Sequence, residues 1–400
     1  MIKILELFGG IGACSKALEK IGVEYEIADY VEIDKYAVAS FNAIHDTNFI
    51  PQDIKNWDKD IEVDLIMHGS PCQDFSLAGR QAGGDKDSGT RSSLMYETIR
   101  IVEKLKPKYV RWENVKNLIS KKHIHNFNAY IETLNELGYK SYYKVLNAKD
   151  YGIPQNRERV FTISIRNDID KEFIFPDKKE LNIKLKDLLE ESVDEKYYLS
   201  DKMIQYISAT GTANYRNPDS KINLEIARPI TTDPNKRAGT TNYLCKELPN
   251  NYDLSQIKGK SYIRDFGSRG KLQEKEIVDT LTASMGTGGG NVPIIKIKNN
   301  TKKGYLEASP GDGVYTVTSN KRGTVSKDSI HTITTRQDYG VVLEDLRIRK
   351  LTPKECWRLM GFEDKDFEKA SKVNSNTQLY KQAGNSIVVN VLESILKNLI

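Results

Sequence analysis

Along residues 1–166, short apolar runs rich in β-branched and aromatic residues alternate with segments of helical period. The runs Ile2–Phe8, Tyr25–Val31, Asp64–His68, Tyr109–Trp112 and Arg159–Ile165 predict strands, while Ser15–Ile21 and Ser93–Leu105 predict helices. Strands separated by helices form βαβ units, so a parallel sheet with covering helices is expected. After Arg166 short strand candidates stand among Gly, Asn, Asp, Thr and Lys, the composition of an irregular β-containing region with many turns. Three phrases there, Arg228-Pro-Ile-Thr-Thr232, Asp279-Thr-Leu-Thr-Ala283 and His331-Thr-Ile-Thr-Thr335, recur at a period of about fifty residues. Repeated hairpins are one reading; Thr-rich strands alike only in composition are the other.

From residue 346 onward the helical pattern returns. Thr352-Pro353-x-Glu355 predicts a helix start, with Pro in the first turn. Ser386 is expected to cap a terminal helix whose Val388, Val391, Leu392, Ile395, Leu396 and Leu399 share one face. That face must pack against something, and the parallel sheet is the natural surface. The expected division is therefore 1–166, an inserted 167–345, and 346–400 returning to the first part.

A chain of 400 residues exceeds what one core usually serves, which agrees with two structural units. No apolar run approaches the roughly 20 residues that span a bilayer. Met1 leads directly into a strand, without the pattern of a secretory signal, so a cytoplasmic protein without a membrane role is expected. The four cysteines, Cys14, Cys72, Cys245 and Cys356, form neither a CxxC pair nor a disulfide ladder. A reducing compartment and no metal site follow as expectations. The formal net charge of +5 permits a polyanionic partner but does not select one.

Strand Ile2–Leu7 runs into Phe8-Gly9-Gly10-Ile11-Gly12 and then a helix, the arrangement that brings a ligand close to backbone at a helix N-terminus. A dinucleotide site would want a third glycine at Ser15, so a cofactor without a pyrophosphate fits better. Glu32, at the end of the second strand, suits a pair of ribose hydroxyls. Ile33 beside it suits an adenine face, and Asp53-Ile54 the adenine amino group. A strand-end carboxylate seen singly is more often merely solvated; the glycine loop and Glu32 together point to a site.

Strand Asp64–His68 ends in Gly69-Ser70-Pro71-Cys72-Gln73-Asp74-Phe75-Ser76. A cysteine held behind proline at the C-terminal edge of a sheet, in a polar loop, favours an exposed reactive thiol over a buried one. Leu77–Arg91, rich in Gly, Asp, Lys and Ser, reads as a loop that closes over a ligand, or as ordinary surface.

Pro71-Cys72-Gln73 with Phe75-Ser76, Glu113-Asn114-Val115 and Gln155-x-Arg157-x-Arg159 resembles the DNA cytosine-5 methyltransferases. The order of Phe8-x-Gly10-x-Gly12, Glu32, Arg349-x-Leu351-Thr352-x-x-Glu355, Gly361-Phe362 and Gln382-x-Gly384-Asn385-Ser386 extends the likeness over the first 165 and last 55 residues. The resemblance implies an α/β fold, with a Rossmann-like S-adenosylmethionine-dependent methyltransferase domain and an inserted, irregular β-containing target-recognition domain. It also implies that Cys72 adds to carbon 6 of a flipped-out cytosine while Glu113 bonds N3 and the amino group. Arg159, with Arg157 beside it, would bind O2 and lower the thiol pKa. S-adenosylmethionine would be held by Phe8, Gly10, Ile11, Gly12, Glu32, Ile33, Asp53, Ile54, Leu94, Asn385 and Ser386. The implied partner is double-stranded DNA, with a restriction endonuclease as functional companion, and the implied state is a monomer. Target bases would be read from among Arg216, Arg228, Lys236, Arg237, Arg264, Arg269, Lys271, Lys321 and Arg322, each of which taken singly reads as solvated surface. Methylation of a structured RNA and a catalytically inert DNA-binding relative stand as alternatives. The RNA branch usually carries Pro-Cys-Phe-Thr at the nucleophile, and inertness sits poorly with an intact Cys72, Glu113 and Arg159.

Overall fold

The computed structural model describes residues 1–71, 75, 90–198 and 348–400, with 261–264, 272–275, 295–299, 301–302, 304–317, 322–331 and 339–342 between them. Cys72, the body of the 77–91 loop and the Thr-rich phrases, His331 apart, lie outside the described residues. So do the basic positions proposed to read bases, except for the backbones of Arg264 and Arg322.

The chain divides into two compact units. The first comprises Met1–Ile183, Thr332–Arg336 and Pro353–Ile400; the second comprises Lys184–His331 and Gln337–Thr352. The first is built on β1 (Ile2–Leu7), β2 (Tyr25–Val31), β3 (Leu65–His68), β4 (Tyr109–Val115), β5 (Tyr139–Asn147), the two-residue β6 (Gln155–Asn156) and β7 (Glu158–Arg166). Its sheet has the order β2-β1-β3-β4-β7-β5. The first four strands are parallel, as expected of βαβ units. β7 enters antiparallel between β4 and β5, which departs from an all-parallel sheet. The link from β5 to β7 is too short for the crossover that a parallel pair needs, so the two form a hairpin.

Alternation along the strands sorts the two faces. Leu5, Leu7, Ile66, Val110 and Trp112 join one core with Met95, Ile99 and Val102 of α3 (Met95–Leu105) and Phe127, Tyr130 and Leu134 of α4 (Ile124–Glu136). Glu6, Met67 and Arg111 alternate with these and point to the opposite face, where α1 (Ala13–Ile21) lies: its Ser15 N–H donates to Glu6 Oε1 at 2.9 Å. α1 ends at Gly22, whose left-handed backbone lets its N–H return to the Leu18 and Glu19 carbonyls. Asp34 caps α2 (Lys35–His45) by accepting from Tyr36 N.

The C-terminal segment supplies α5 (Pro353–Arg358), α6 (Asp364–Ser371), α7 (Asn376–Asn385) and α8 (Val389–Leu399). Pro353 opens α5 as its sequence predicts. The apolar face of α8 is buried at all six expected positions, but it packs on α1 rather than directly on the sheet. Ser386 differs from expectation too: it closes α7 as C-cap, and Val388 precedes α8 as N-cap. Residues 167–183 belong with this unit rather than with the insertion. Asn398 Nδ2 donates to the Ile174 carbonyl at 3.0 Å and Lys179 Nζ to Ser394 Oγ at 3.2 Å, tying the segment to α8.

The second unit is β-rich among its described residues. Strands 313–317, 322–326, 339–342 and 348–350 form one antiparallel sheet, and 295–298 pairs with 305–308. Ile297, Ala308, Val314 and Val342 form a small core with Val325 against it. Strand 348–350 pairs with 339–342, so this unit runs through Thr352, past the expected boundary at 345.

Candidate active site

The C-terminal ends of β1, β2, β3 and β4 share one edge of the sheet, the edge at which open α/β sheets bind ligands. At β1 the backbone turns through left-handed conformations at Phe8 (φ 54°), Gly10 (φ 56°) and Gly12 (φ 79°) before α1 begins. Gly12 has a second reason to be glycine, because a Cβ there would lie 2.2 Å from His45 Nε2. At Gly10 a Cβ would meet no heavy atom within 4 Å, so the loop borders open space. Ile11 between them is buried.

Glu32, at the end of β2, is oriented toward this loop. Its Oε2 accepts from Gly10 N at 3.1 Å and its Oε1 from Asp34 N at 2.9 Å. Burial raises its pKa, against the pull of the bonds from Asp34 and Gly10. Ile33 beside it is 66% exposed, an apolar surface presented at a strand end. An acceptor for ribose hydroxyls, an apolar face for a base and a glycine backbone open to a ligand fit S-adenosylmethionine.

The other residues expected at the cofactor lie in the following surroundings. Asp53 caps a short 3-10 turn by accepting from Lys55 N at 3.0 Å, and Ile54 is buried in the core with Trp57 and Val31. Leu94 packs half-buried against that core, and Asn385 is exposed at the end of α7. Ser386 offers its carbonyl to Arg157 Nη2 at 2.7 Å. Arg157 also reaches the Gly384 carbonyl at 3.2 Å, so its guanidinium holds the α7–α8 corner in place.

At the neighbouring strand ends, Glu113 Oε1 and Arg159 Nε lie 3.1 Å apart, both side chains largely buried. The pair forms across the antiparallel β4–β7 ladder, where Glu113 faces Phe161 and Val115 faces Arg159, a diagonal within reach of long side chains. Glu113 Oε2 stands 3.6 Å from where a Cβ on Gly69 would sit, so the carboxylate borders the start of the segment carrying Cys72.

That segment is anchored at both ends. Trp112 Nε1 donates to Ser70 Oγ at 3.0 Å and Asn114 Nδ2 to the Ser70 carbonyl at 3.3 Å. Beyond Cys72, Phe75 is fully buried with its ring edge-on to His123, and Asn117 Nδ2 donates to the Phe75 carbonyl at 2.6 Å. Sequence reading named Asn114 only as a motif letter and missed Asn117 and Arg111. The signal for Arg111 was present, as a charged residue inside the apolar strand Tyr109–Trp112.

Comparison with known proteins agrees with this arrangement. The family model described as C-5 cytosine-specific DNA methylase matches residues 2–400. The orphan methyltransferase M.SPRI of Bacillus phage SPR is 36% identical, the alignment covering 100% of this chain and 97% of that protein. The type II methyltransferase M2.ScrFI of Lactococcus lactis subsp. cremoris is 33% identical, with coverage of 100% and 99%. The crystal structure of a Spodoptera frugiperda DNMT2 mutant shares the Rossmann-like fold at a TM-score of 0.56 and 20% identity, covering 100% of this chain and 99% of that one. The family model and the two methyltransferase relatives favour DNA over RNA as the substrate and an active enzyme over an inert relative. The chain belongs to the C-5 cytosine-specific DNA methylases, enzymes that transfer a methyl group from S-adenosylmethionine to carbon 5 of cytosine in DNA.

Proposed function

We propose that this enzyme methylates one cytosine within a specific double-stranded sequence, with Cys72 as nucleophile, Glu113 and Arg159 as its partners at the base, and residues 184–352 reading the target. What supports this most is the convergence at one sheet edge of the Glu113–Arg159 pair and both anchored ends of the segment bearing Cys72.

Carbon 6 is hidden in a duplex, so the nucleotide must leave the stack at a cost of a few kcal/mol. The Cys72 thiolate adds to carbon 6, pushing charge onto N3 and O2. Glu113 hydrogen-bonds N3 and the amino group, and Arg159 holds O2; general acid assistance of this kind is worth about 10² to 10⁴ in rate. When bound by Phe8, Gly10, Ile11, Gly12, Glu32 and Ile33, S-adenosylmethionine supplies an electrophilic methyl group that carbon 5, made nucleophilic by the addition, can take. The carbon 5 proton then leaves to a base, the carbon 6–sulfur bond breaks, and the thiolate and the aromatic ring are restored together.

We read the enzyme as a cytoplasmic monomer; among the described residues no helix is long and apolar enough to cross a membrane. Its functional companion is a restriction endonuclease of the same specificity, a role consistent with the type II name of the Lactococcus relative. Bisulfite sequencing of DNA from cells expressing the chain tests the reading. Protected cytosines in one sequence context are expected, and their complete loss with Cys72→Ser. Unchanged protection with Cys72→Ser would refute the assignment.

A further inference from the structure

Arg111 is fully buried in the middle of β4, where an apolar residue would cost nothing to desolvate. Its guanidinium reaches the ends of two elements that flank the loops of the site. Nη1 donates to the His68 carbonyl at 3.2 Å, at the last residue of β3 and just before Gly69-Ser70-Pro71-Cys72. Nη2 donates to Cys14 Sγ, in the first turn of α1 just past Gly12. Two acidic side chains lie near the buried charge. Glu6 stands in the same register row, since Glu6 pairs with Met67 and Met67 with Arg111, and Glu113 lies two residues along the same face of β4. Arg111 thus stands on the same face as the Glu113–Arg159 pair, with the buried acid Glu6 in its register row.

We propose that Arg111 is a positioning residue that fixes the glycine loop of the cofactor site relative to the loop bearing the nucleophile. This rests on the reading of Cys72 above. Transfer requires the methyl donor and the Cys72-activated base in one line, whereas binding of each partner requires only its own loop. Loss of Arg111 should therefore slow transfer while sparing both affinities.

The test is single-turnover tritium transfer from labelled S-adenosylmethionine, per enzyme titrated by cofactor binding, in Arg111→Met/Glu6→Gln, which removes the charge and its buried partner together. The rate should fall by about tenfold or more, the scale at which small misplacements act, with cofactor and DNA affinities each held within about threefold. Arg111→Lys, which keeps the charge but not the two-pronged reach, should recover part of the rate, and it carries the test alone if the double variant fails to fold. An unchanged rate per titrated site, or a fall in cofactor affinity equal to the fall in rate, overturns the proposal. Failure of the unaltered enzyme to form a covalent adduct with 5-fluorocytosine DNA would instead bring down the Cys72 assignment.

Discussion

Arg159 Nε approaches Glu113 Oε1 at 3.1 Å across the antiparallel pair β4 and β7, leaving Glu113 Oε2 near the start of the Cys72 segment. The inverted strand makes this possible: β7 brings an arginine from a later part of the chain beside the end of a parallel strand. Glu113→Gln keeps the shape but loses the acid and the ion pair. Its single-turnover rate should fall by about 10² or more, with S-adenosylmethionine affinity unchanged. A rate within about threefold of the parent would remove Glu113 from the chemistry.

Much of this edge was legible in the sequence because its parts are local. Tyr25–Val31 is a strand with the limits its composition predicts, and the glycine loop after Ile2–Leu7 starts a helix. What was not legible depends on tertiary context. Strand direction has no residue signature, so the inversion of β7 was invisible. β5 was missed because Lys140 and Lys144 make this edge strand look polar. Ser386 has the chemistry of an N-cap, yet α7 runs up to it and takes its N–H instead.

Glu32 is held by two backbone N–H groups, so its carboxylate is preset for a ligand. Glu32→Ala should weaken S-adenosylmethionine binding by about tenfold, the worth of one charge-assisted hydrogen bond of roughly 1.5 kcal/mol. Titration calorimetry checks this, and unchanged affinity would contradict the assignment.

Asn114 clamps the Ser70 carbonyl at one end of the nucleophile segment. Asn114→Ala removes that clamp and leaves Trp112 on Ser70 Oγ. Stability should fall by about 1 to 3 kcal/mol in denaturant titrations, because a buried carbonyl loses its partner. The transfer rate should fall further than that destabilisation explains when it is measured per folded enzyme.

Glu6 is buried on the sheet, and desolvation pushes its pKa up from 4.5 to about 7 against the opposing bonds from Ser15 and the charge of Arg111. Between those values the folded chain keeps a proton that the unfolded chain has released. Stability from this group is therefore full below pH 4.5 and is lost as pH rises through 7, by about 3 kcal/mol. Glu6→Gln should abolish this loss, so the stability difference between variant and parent should grow in favour of the variant from pH 4.5 to 7.5. His45, pushed down to about 4, acts in the opposite sense but is common to both proteins and cancels. Parallel denaturant titrations that give a constant difference across this range would contradict the burial argument.

Mass spectrometry decides whether Cys72 forms a covalent bond with a pyrimidine. The chain is incubated with S-adenosylmethionine and a duplex library carrying 5-fluorocytosine in randomised flanks, where fluorine at carbon 5 blocks the release step. An irreversible adduct is expected on the peptide containing Cys72, and none with Cys72→Ser. Methylation of ordinary DNA by the same preparation, without any adduct on Cys72, would contradict it.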